Sequence, residues 1–266
     1  MFRLAWVSDP HLNFLPKGGP KQFGKKVRAD HPDLDMVVVT GDIAECPNFE
    51  PLLEQFANGV NAPVHFVLGN HDAYGGGISE MQIKAAEMDG LSRWLPKTQL
   101  VELTPSTALV GHDGWYDARF GFQMRSRVVL SDFTWIREFA GLHGELLRQN
   151  IQRFADQAAA EARGLLESAI EKGYKNIFFA THVPPYAQAA WHQGEMSDGH
   201  WLPWMSSRVM GEMLNEVSGA HPDVMFTVLC GHTHSEGKFR AAPNLVVLTG
   251  HSEYKFPRVC GVFDLT

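Results

Sequence analysis

Nine polar residues stand where they could do chemistry together. Asp9 and His11 follow the apolar run 4–7 (LAWV), and Asp42 follows 36–40 (MVVVT). Asn70, His71 and Asp72 follow 64–68 (VHFVL), His182 follows 176–180 (NIFFA), and His232 and His234 follow 224–229 (VMFTVL). One histidine beyond one such run would carry no argument. Five runs ending in Asp, Asn and His do, because the carboxyl ends of strands in an open α/β sheet form one rim, where ligands bind. Seven of these residues (Asp9, His11, Asp42, Asn70, His182, His232, His234) form an all-oxygen and nitrogen donor set. That set suits divalent Mn, Fe, Zn or Ni rather than a structural thiolate zinc. Seven donors are too many for one tetrahedral site and suit two cations sharing a carboxylate, a pair that can clamp an in-line displacement at phosphorus. The Asp-x-His and His-x-His spacings put alternate residues on one side of an extended chain, so each pair can aim two groups at one centre.

The runs that position these residues are short, β-branched and bounded by Gly or polar residues, as buried strands are. Further runs at 107–110, 244–249 and 259–265 extend the set. Helical patterns lie between. One covers 48–57 and stops at Asn58-Gly59; another covers 79–89 and opens on the capping box Ser79-x-x-Gln82. A long one starts near Ser131, breaks at 141–144 and ends at Lys172 before Gly173, and a fourth covers 208–217. Strands alternating with helices predict a layered α/β domain. No repeat, low-complexity tract or composition shift marks a linker, so residues 1–266 read as a single domain. Residues 184–207 fit neither period. This Trp/His-rich segment, with Trp191, Trp201 and Trp204, reads as a loop insertion that starts beside His182 and could wall the crevice.

With 44% apolar and 20% charged residues, the chain is neither disordered nor fibrous. Lys plus Arg number 23 against 30 Asp plus Glu, and this acidic balance argues against a general nucleic-acid binder. Three cysteines, Cys46, Cys230 and Cys260, with no metal-binding spacing, fit a reducing compartment. The N-terminal apolar stretch is too short for a secretory leader, and no stretch reaches the roughly 20 apolar residues of a membrane span. A cytoplasmic protein without a membrane partner is expected; nothing bears on its oligomeric state.

The blocks SDPH (8–11), GDIAE (41–45), GNHD (69–72), THVPP (181–185) and GHTH (231–234) resemble, in order, the five blocks of the calcineurin-like metallophosphoesterase family. The resemblance implies a four-layer αββα sandwich of two mixed sheets flanked by helices, with a dimetal site at the strand C-terminal ends. It implies two divalent metal ions per chain. One would be held by Asp9, His11, Asp42 and His234, the other by Asp42, Asn70, His182 and His232, with Asp42 bridging. His71 matches the residue that contacts phosphate or protonates the leaving oxygen, and Asp72 the carboxylate that orients it. The implied activity is hydrolysis of a phosphomonoester or phosphodiester by a metal-bridging hydroxide, on a small-molecule or nucleotide substrate. A non-catalytic binding scaffold is the rival reading, and the complete ligand set speaks against it. Purple acid phosphatases place Tyr three residues after the bridging Asp; Glu45 stands there, which argues against a tyrosinate-iron(III) centre. His112, Asp113, Arg119 and His251 could also reach the rim, whereas His31, His65, His143 and His221 read as structural or solvent-facing.

Overall fold

Every apolar run expected to form a strand does so. The structure, a computed structural model describing residues 1–266, contains in chain order β1 (Phe2–Val7), α1 (Gly19–Asp30), β2 (Met36–Thr40), α2 (Phe49–Val60), β3 (Val64–Val67), α3 (Ile78–Glu87), β4 (Ser92–Trp94) and α4 (Leu95–Thr98). There follow β5 (Val101–Thr104), β6 (Thr107–Gly111), α5 (Asp132–Trp135), α6 (Gly144–Glu171), β7 (Asn176–Ala180), β8 (Trp191–His192), β9 (Glu195–Met196), α7 (Leu202–Met205), α8 (Arg208–Ala220), β10 (Met225–Cys230), β11 (Gly237–Ala242), β12 (Leu245–Thr249) and β13 (Val259–Leu265). One sheet has the order β13-β1-β2-β3-β4 and the other β11-β12-β10-β7-β6-β5. In the first, only β13 is antiparallel to its neighbour. In the second, the edge strands β5 and β11 run against a parallel core.

Side-chain alternation along the strands builds the layers. Leu4, Trp6, Met36 and Val38 of the first sheet meet Leu109, Phe178, Ala180 and Leu229 of the second in one buried cluster. Their strand neighbours point the other way. Ala5, Val7, Val37 and Val39 pack against α1, α2 and α3 through Phe23, Phe56 and Met81. Ala108, Val110, Phe179 and Val228 pack against α6 and α8 through Ala162, Leu166 and Leu214. The result is helix, sheet, sheet, helix. Each fully buried Val, Leu or Phe contributes about 1.5–3 kcal/mol, so the sandwich holds the rim rigidly.

The differences from expectation have local causes. α1 has only Phe23 and Val27 as large buried anchors, too few to show a period. It forms because it lies against α2 backbone to backbone: a Cβ on Gly24 would overlap the Phe56 carbonyl, and one on Gly59 the Lys21 carbonyl. Gly59 therefore sits inside α2 instead of ending it. The capping box at Ser79 is not made. α3 begins at Ile78, and the Glu138 carboxylate accepts from the amides of Ile78 (2.9 Å) and Ser79 (3.0 Å). The 184–207 segment is not wholly irregular; it carries the β8–β9 hairpin and α7. β4, β5 and β11 were not visible as runs. They are short or lie at sheet edges with alternate residues exposed.

His65 of β3 is buried with no partner for Nδ1. Burial, helped by Arg93, pushes its imidazole down to about 4. The folded ring stays neutral while the unfolded one protonates near pH 6.5, so stability is full above that pH and falls as pH drops toward 4. Between pH 7 and 4 the protein should lose about 3 kcal/mol more than His65→Leu does, measured by denaturant unfolding. Equal pH slopes would place the ring in contact with water.

Candidate metal centre

β1, β2, β3, β7 and β10 all end at one rim, and the chain turns sharply as it leaves them. Five of the seven candidate ligands lie in the left-handed region, with φ of 45° at Asp9, 41° at His11, 50° at Asp42, 68° at His232 and 58° at His234. In the whole chain only eleven non-glycine residues do so. The expectation that Asp-x-His and His-x-His converge along extended chain is therefore corrected; the pairs converge through left-handed turns. Each such residue costs about 1–3 kcal/mol, and backbone strain of this kind gathers where a site over-determines it. Two glycines let the loops close on one another. A Cβ on Gly231 would overlap Ser8 and Asp9, and one on Gly69 would overlap Asp42.

Two groups of donor atoms result, meeting at Asp42. Asp9, His11, Asp42 and His234 bring their donor atoms within 4.8 Å of one another, and so do Asp42, His182 and His232. In the first group the Nε2 atoms of His11 and His234 face each other at 3.2 Å. Asp42 Oδ2 lies 3.8 Å from His11 Nε2, and Asp9 Oδ1 lies 3.8 Å from His234 Nε2.

Proton positions in the second group follow from its outer partners. His182 Nδ1 donates to the Thr40 carbonyl (2.9 Å), so a neutral His182 presents a bare Nε2. His232 Nε2 donates to the Trp204 carbonyl (2.8 Å), which leaves Nδ1 bare. Asn70 Nδ2 donates to Asp132 Oδ1 (3.0 Å), which turns Oδ1 inward. From His182 Nε2, the distances to Asn70 Oδ1, His232 Nδ1 and Asp42 Oδ1 are 3.0, 3.2 and 3.4 Å. Four acceptors thus converge while every donor of these side chains is committed outward. A divalent cation would satisfy such a set, and outward hydrogen bonds of this kind are what orient metal ligands. The residues present fit divalent metal ions.

Burial would lower the His182 imidazole, but Asp42 and Asp9 outweigh it and raise it. Burial would raise the Asp42 carboxyl, but the surrounding His182, His71, His11 and His232 outweigh it and hold it below the usual range. Burial pushes His11 and His232 down to about 3 each, against the pull of Asp42, so both rings are neutral donors. Asp9 is raised by burial despite His182 and His234.

His71 and Asp72 part company. His71 is partly exposed at the mouth, its Nε2 4.0 Å from Asp42 Oδ2, its ring stacked on Tyr74 at 4.3 Å and its amide donating to Asp42 Oδ1 (2.9 Å). Asp72 does not touch that ring. Its Oδ1 accepts from the amides of Ile43 (2.7 Å) and Ala44 (2.9 Å) and its Oδ2 from Gly69 (2.6 Å), so it ties the loop after β2 to the loop after β3. The His71 ring is instead steadied by Tyr74.

Of the outlying candidates, Arg119 is bound to Asp156 (2.7 and 2.9 Å) and Asp117, away from the donor groups. His112 pairs with Glu161 (2.9 Å), and both line a cavity of about 180 Å³ between α3 and α6. Asp113 Oδ1 accepts from the Leu68 amide (2.7 Å) and Trp94 Nε1 (2.8 Å). The His251 carbonyl accepts from the Cys260 thiol. Trp204 is buried, Trp191 is partly buried, and Trp201 is exposed.

Two residues near the site, Asp132 and Tyr254, had no sequence signal, and a third, Ser8, lay in the first block without a role assigned to it. Asp132, fully buried, accepts from Asn70, from Tyr74 Oη (2.5 Å) and from Tyr116 Oη (2.8 Å). Tyr254 lies with its ring 4.5 Å from that of His11 and 5.2 Å from that of His234. Ser8 donates to Asp9 Oδ2. Asp132 and Tyr254 come from segments far from any of the five blocks.

Residues 2–236 match the family model described as calcineurin-like phosphoesterase. Among solved structures the fold is similar to the phosphopantetheinyl hydrolase from Mycobacterium tuberculosis, with TM-score 0.70 and 15% identity over 95% of this chain and 89% of that one. It is also similar to a dimetal phosphatase from Danio rerio, with TM-score 0.58 and 15% identity over 96% and 89% of the two chains. These are likenesses of fold. No curated protein matches the sequence.

Proposed function

The chain belongs to the calcineurin-like phosphoesterase family, and from that premise we propose that it hydrolyses a phosphoric ester of a small molecule with the help of two divalent cations. Asn70 Oδ1, His232 Nδ1 and Asp42 Oδ1, all within 3.4 Å of His182 Nε2, carry this reading. Asp9, His11, Asp42 and His234 would hold one cation and Asp42, Asn70, His182 and His232 the other, with Asp42 common to both. Mn, Fe, Zn or Ni would suit these donors.

When bound, such a pair supplies Lewis acidity at the phosphoryl oxygens and lowers the pKa of water toward neutrality. The side chains do the rest. Asp42, held by the His71 amide, fixes the spacing of the two sites. Thr40, Trp204 and Asp132 keep the donor atoms of His182, His232 and Asn70 turned inward. His71, at the mouth, delivers a proton from its ring to the departing ester oxygen, and Tyr74 keeps the ring facing the crevice. A metal-free scaffold would have no use for five strained ligands. The three free cysteines suit a reducing, cytoplasmic setting. No helix is long and apolar enough to cross a membrane.

The direct test is release of phosphate or alcohol from phenyl phosphate and from bis-(4-nitrophenyl) phosphate, with metal content measured on the same sample. Protein carrying two cations and hydrolysing neither would remove the reading. A second measurement isolates His71. An acid matters most for a poor leaving group, so His71→Ala should cost an alkyl ester about 10²–10⁴-fold and a nitrophenyl ester far less, with both metals kept. Equal losses would make His71 a phosphate-positioning group.

A further inference from the structure

Beside the donor groups lies a second hollow, and its walls say what part of a substrate it takes. It has a volume of about 120 Å³ and is lined by His192, Ser197, Trp201, Met205 and Thr233, with the ligand histidines His232 and His234 at its inner edge. Ser197 and Thr233 are each more than nine-tenths buried. Both of their hydroxyls lack a hydrogen-bond partner. Their backbones are not free to turn away: the Ser197 amide donates to the Ala190 carbonyl and the Thr233 amide to the Gly231 carbonyl, each at 2.8 Å. Buried hydroxyls left without partners in a rigid wall are costly and call for something to bond.

The remaining wall is flat and aromatic. The Trp201 ring lies 6.3 Å from that of His192, 26° from parallel. Trp201 stays partly open to solvent but is fixed in place. The Asp198 carboxylate accepts from the amides of His200 (2.8 Å) and Trp201 (3.0 Å), which pins the start of α7. The β8–β9 hairpin that carries His192 is anchored in turn. The Gln193 amide donates to Ser235 Oγ (2.9 Å), and the Trp191 ring covers Gly237, where any Cβ would collide with it.

We propose that this hollow binds a planar, single-ring group with hydrogen-bonding atoms on its edge, carried by the phosphoester whose phosphorus sits at the cations. The proposal rests on the phosphoesterase reading and narrows its substrate class. A hollow of about 120 Å³ is of the size that takes a single six-membered ring. Trp201 and His192 supply the aromatic faces, and Ser197 and Thr233 are the lining residues whose hydroxyls have no partner. A glycerol or sugar phosphate would leave both hydroxyls and the face unused. The ring can arrive as a heteroaryl alcohol esterified directly or as a pyrimidine base one sugar away; the shared chemistry is the polar ring.

The test compares ligands that differ only in that ring. Equilibrium binding to the Mn²⁺-loaded protein is measured for uridine 5′-monophosphate against ribose 5-phosphate, and for pyridin-3-yl phosphate against methyl phosphate. Phosphate release is followed in parallel. One of the two ring-bearing ligands should bind about tenfold or more tightly than its partner, as stacking on an aromatic side chain gives. The pair that shows the preference identifies the source of the ring. Trp201→Ala and Ser197→Ala should each shrink that ratio to below about threefold with metal content retained. No preference in either pair, or a preference that survives both substitutions, overturns the pocket. A preference abolished by the substitutions, with no phosphate released from any ester, upholds the pocket and removes the hydrolase reading. Hydrolysis without preference does the reverse.

Discussion

Asp42→Asn is expected to lower kcat by roughly 10³-fold, the several kcal/mol of transition-state charge stabilisation attributable to one cation. It should also leave one cation behind. Asp42 Oδ1 accepts from the His71 amide at 2.9 Å, so asparagine will keep its oxygen there and turn its NH₂ to the other side. That side faces His11 Nε2, 3.8 Å from Oδ2. A donor then enters the group of Asp9, His11 and His234, and that group should empty while Asn70, His182 and His232 stay loaded. The check is metal analysis alongside turnover. Two cations retained with unchanged turnover would refute the shared carboxylate.

Asp132→Ala is expected to be the most destabilising single change near the site that removes no proposed ligand. Asp132 is buried and accepts from Asn70 and from the hydroxyls of Tyr74 and Tyr116. Alanine strands three buried donors, at a cost of about 3–5 kcal/mol, the range for breaking a buried charged network. At about 2–4 °C per kcal/mol for a domain of this size, the melting temperature should fall by roughly 6–20 °C. Asn70 also loses the bond that turns its oxygen inward, so affinity at that site should drop about 10–100-fold. A melting curve and a metal titration read the two effects separately. An unshifted melting curve would mean that water replaces the carboxylate.

What the sequence discloses here follows a physical division. The parallel strands are buried on both faces, so they read as continuous apolar runs, and their ligand-bearing ends follow at once. Val37–Val39 with Asp42, and Ile177–Phe179 with His182, are such cases. Residues that act through folding leave no local trace. Asp132 lies on a four-residue helix and becomes meaningful only because Asn70, Tyr74 and Tyr116 surround it. Asp72 is adjacent to His71 in sequence, which suggested that it orients the ring, yet its three amide partners come from two loops that only the fold brings together. The left-handed turns at Asp9, His11, His232 and His234 were hidden for a similar reason. Nothing in Asp-x-His distinguishes an extended pair from a turned one. α1 was invisible because glycine-to-glycine helix contact replaces the apolar stripe that normally announces a helix.

The division of ligands between the sheets has a consequence for biosynthesis. Asp9, His11, Asp42 and Asn70 leave strands of one sheet, whereas His182, His232 and His234 leave strands of the other. Each of the two donor groups draws on both sheets, so neither sheet alone contains a complete site. On the ribosome, at about 5–20 residues per second, the interval between Asp9 and His234 is on the order of 10–50 s. Throughout it, the nascent chain offers carboxylates and imidazoles that can hold a stray ion only weakly. Under the proposed ligand assignment, tight loading would wait for β10 to dock beside β7, so metal capture would close maturation rather than seed it. Under the proposed assignment, captured cations would act as rivets across the sandwich, and the two sheets could not part without releasing them.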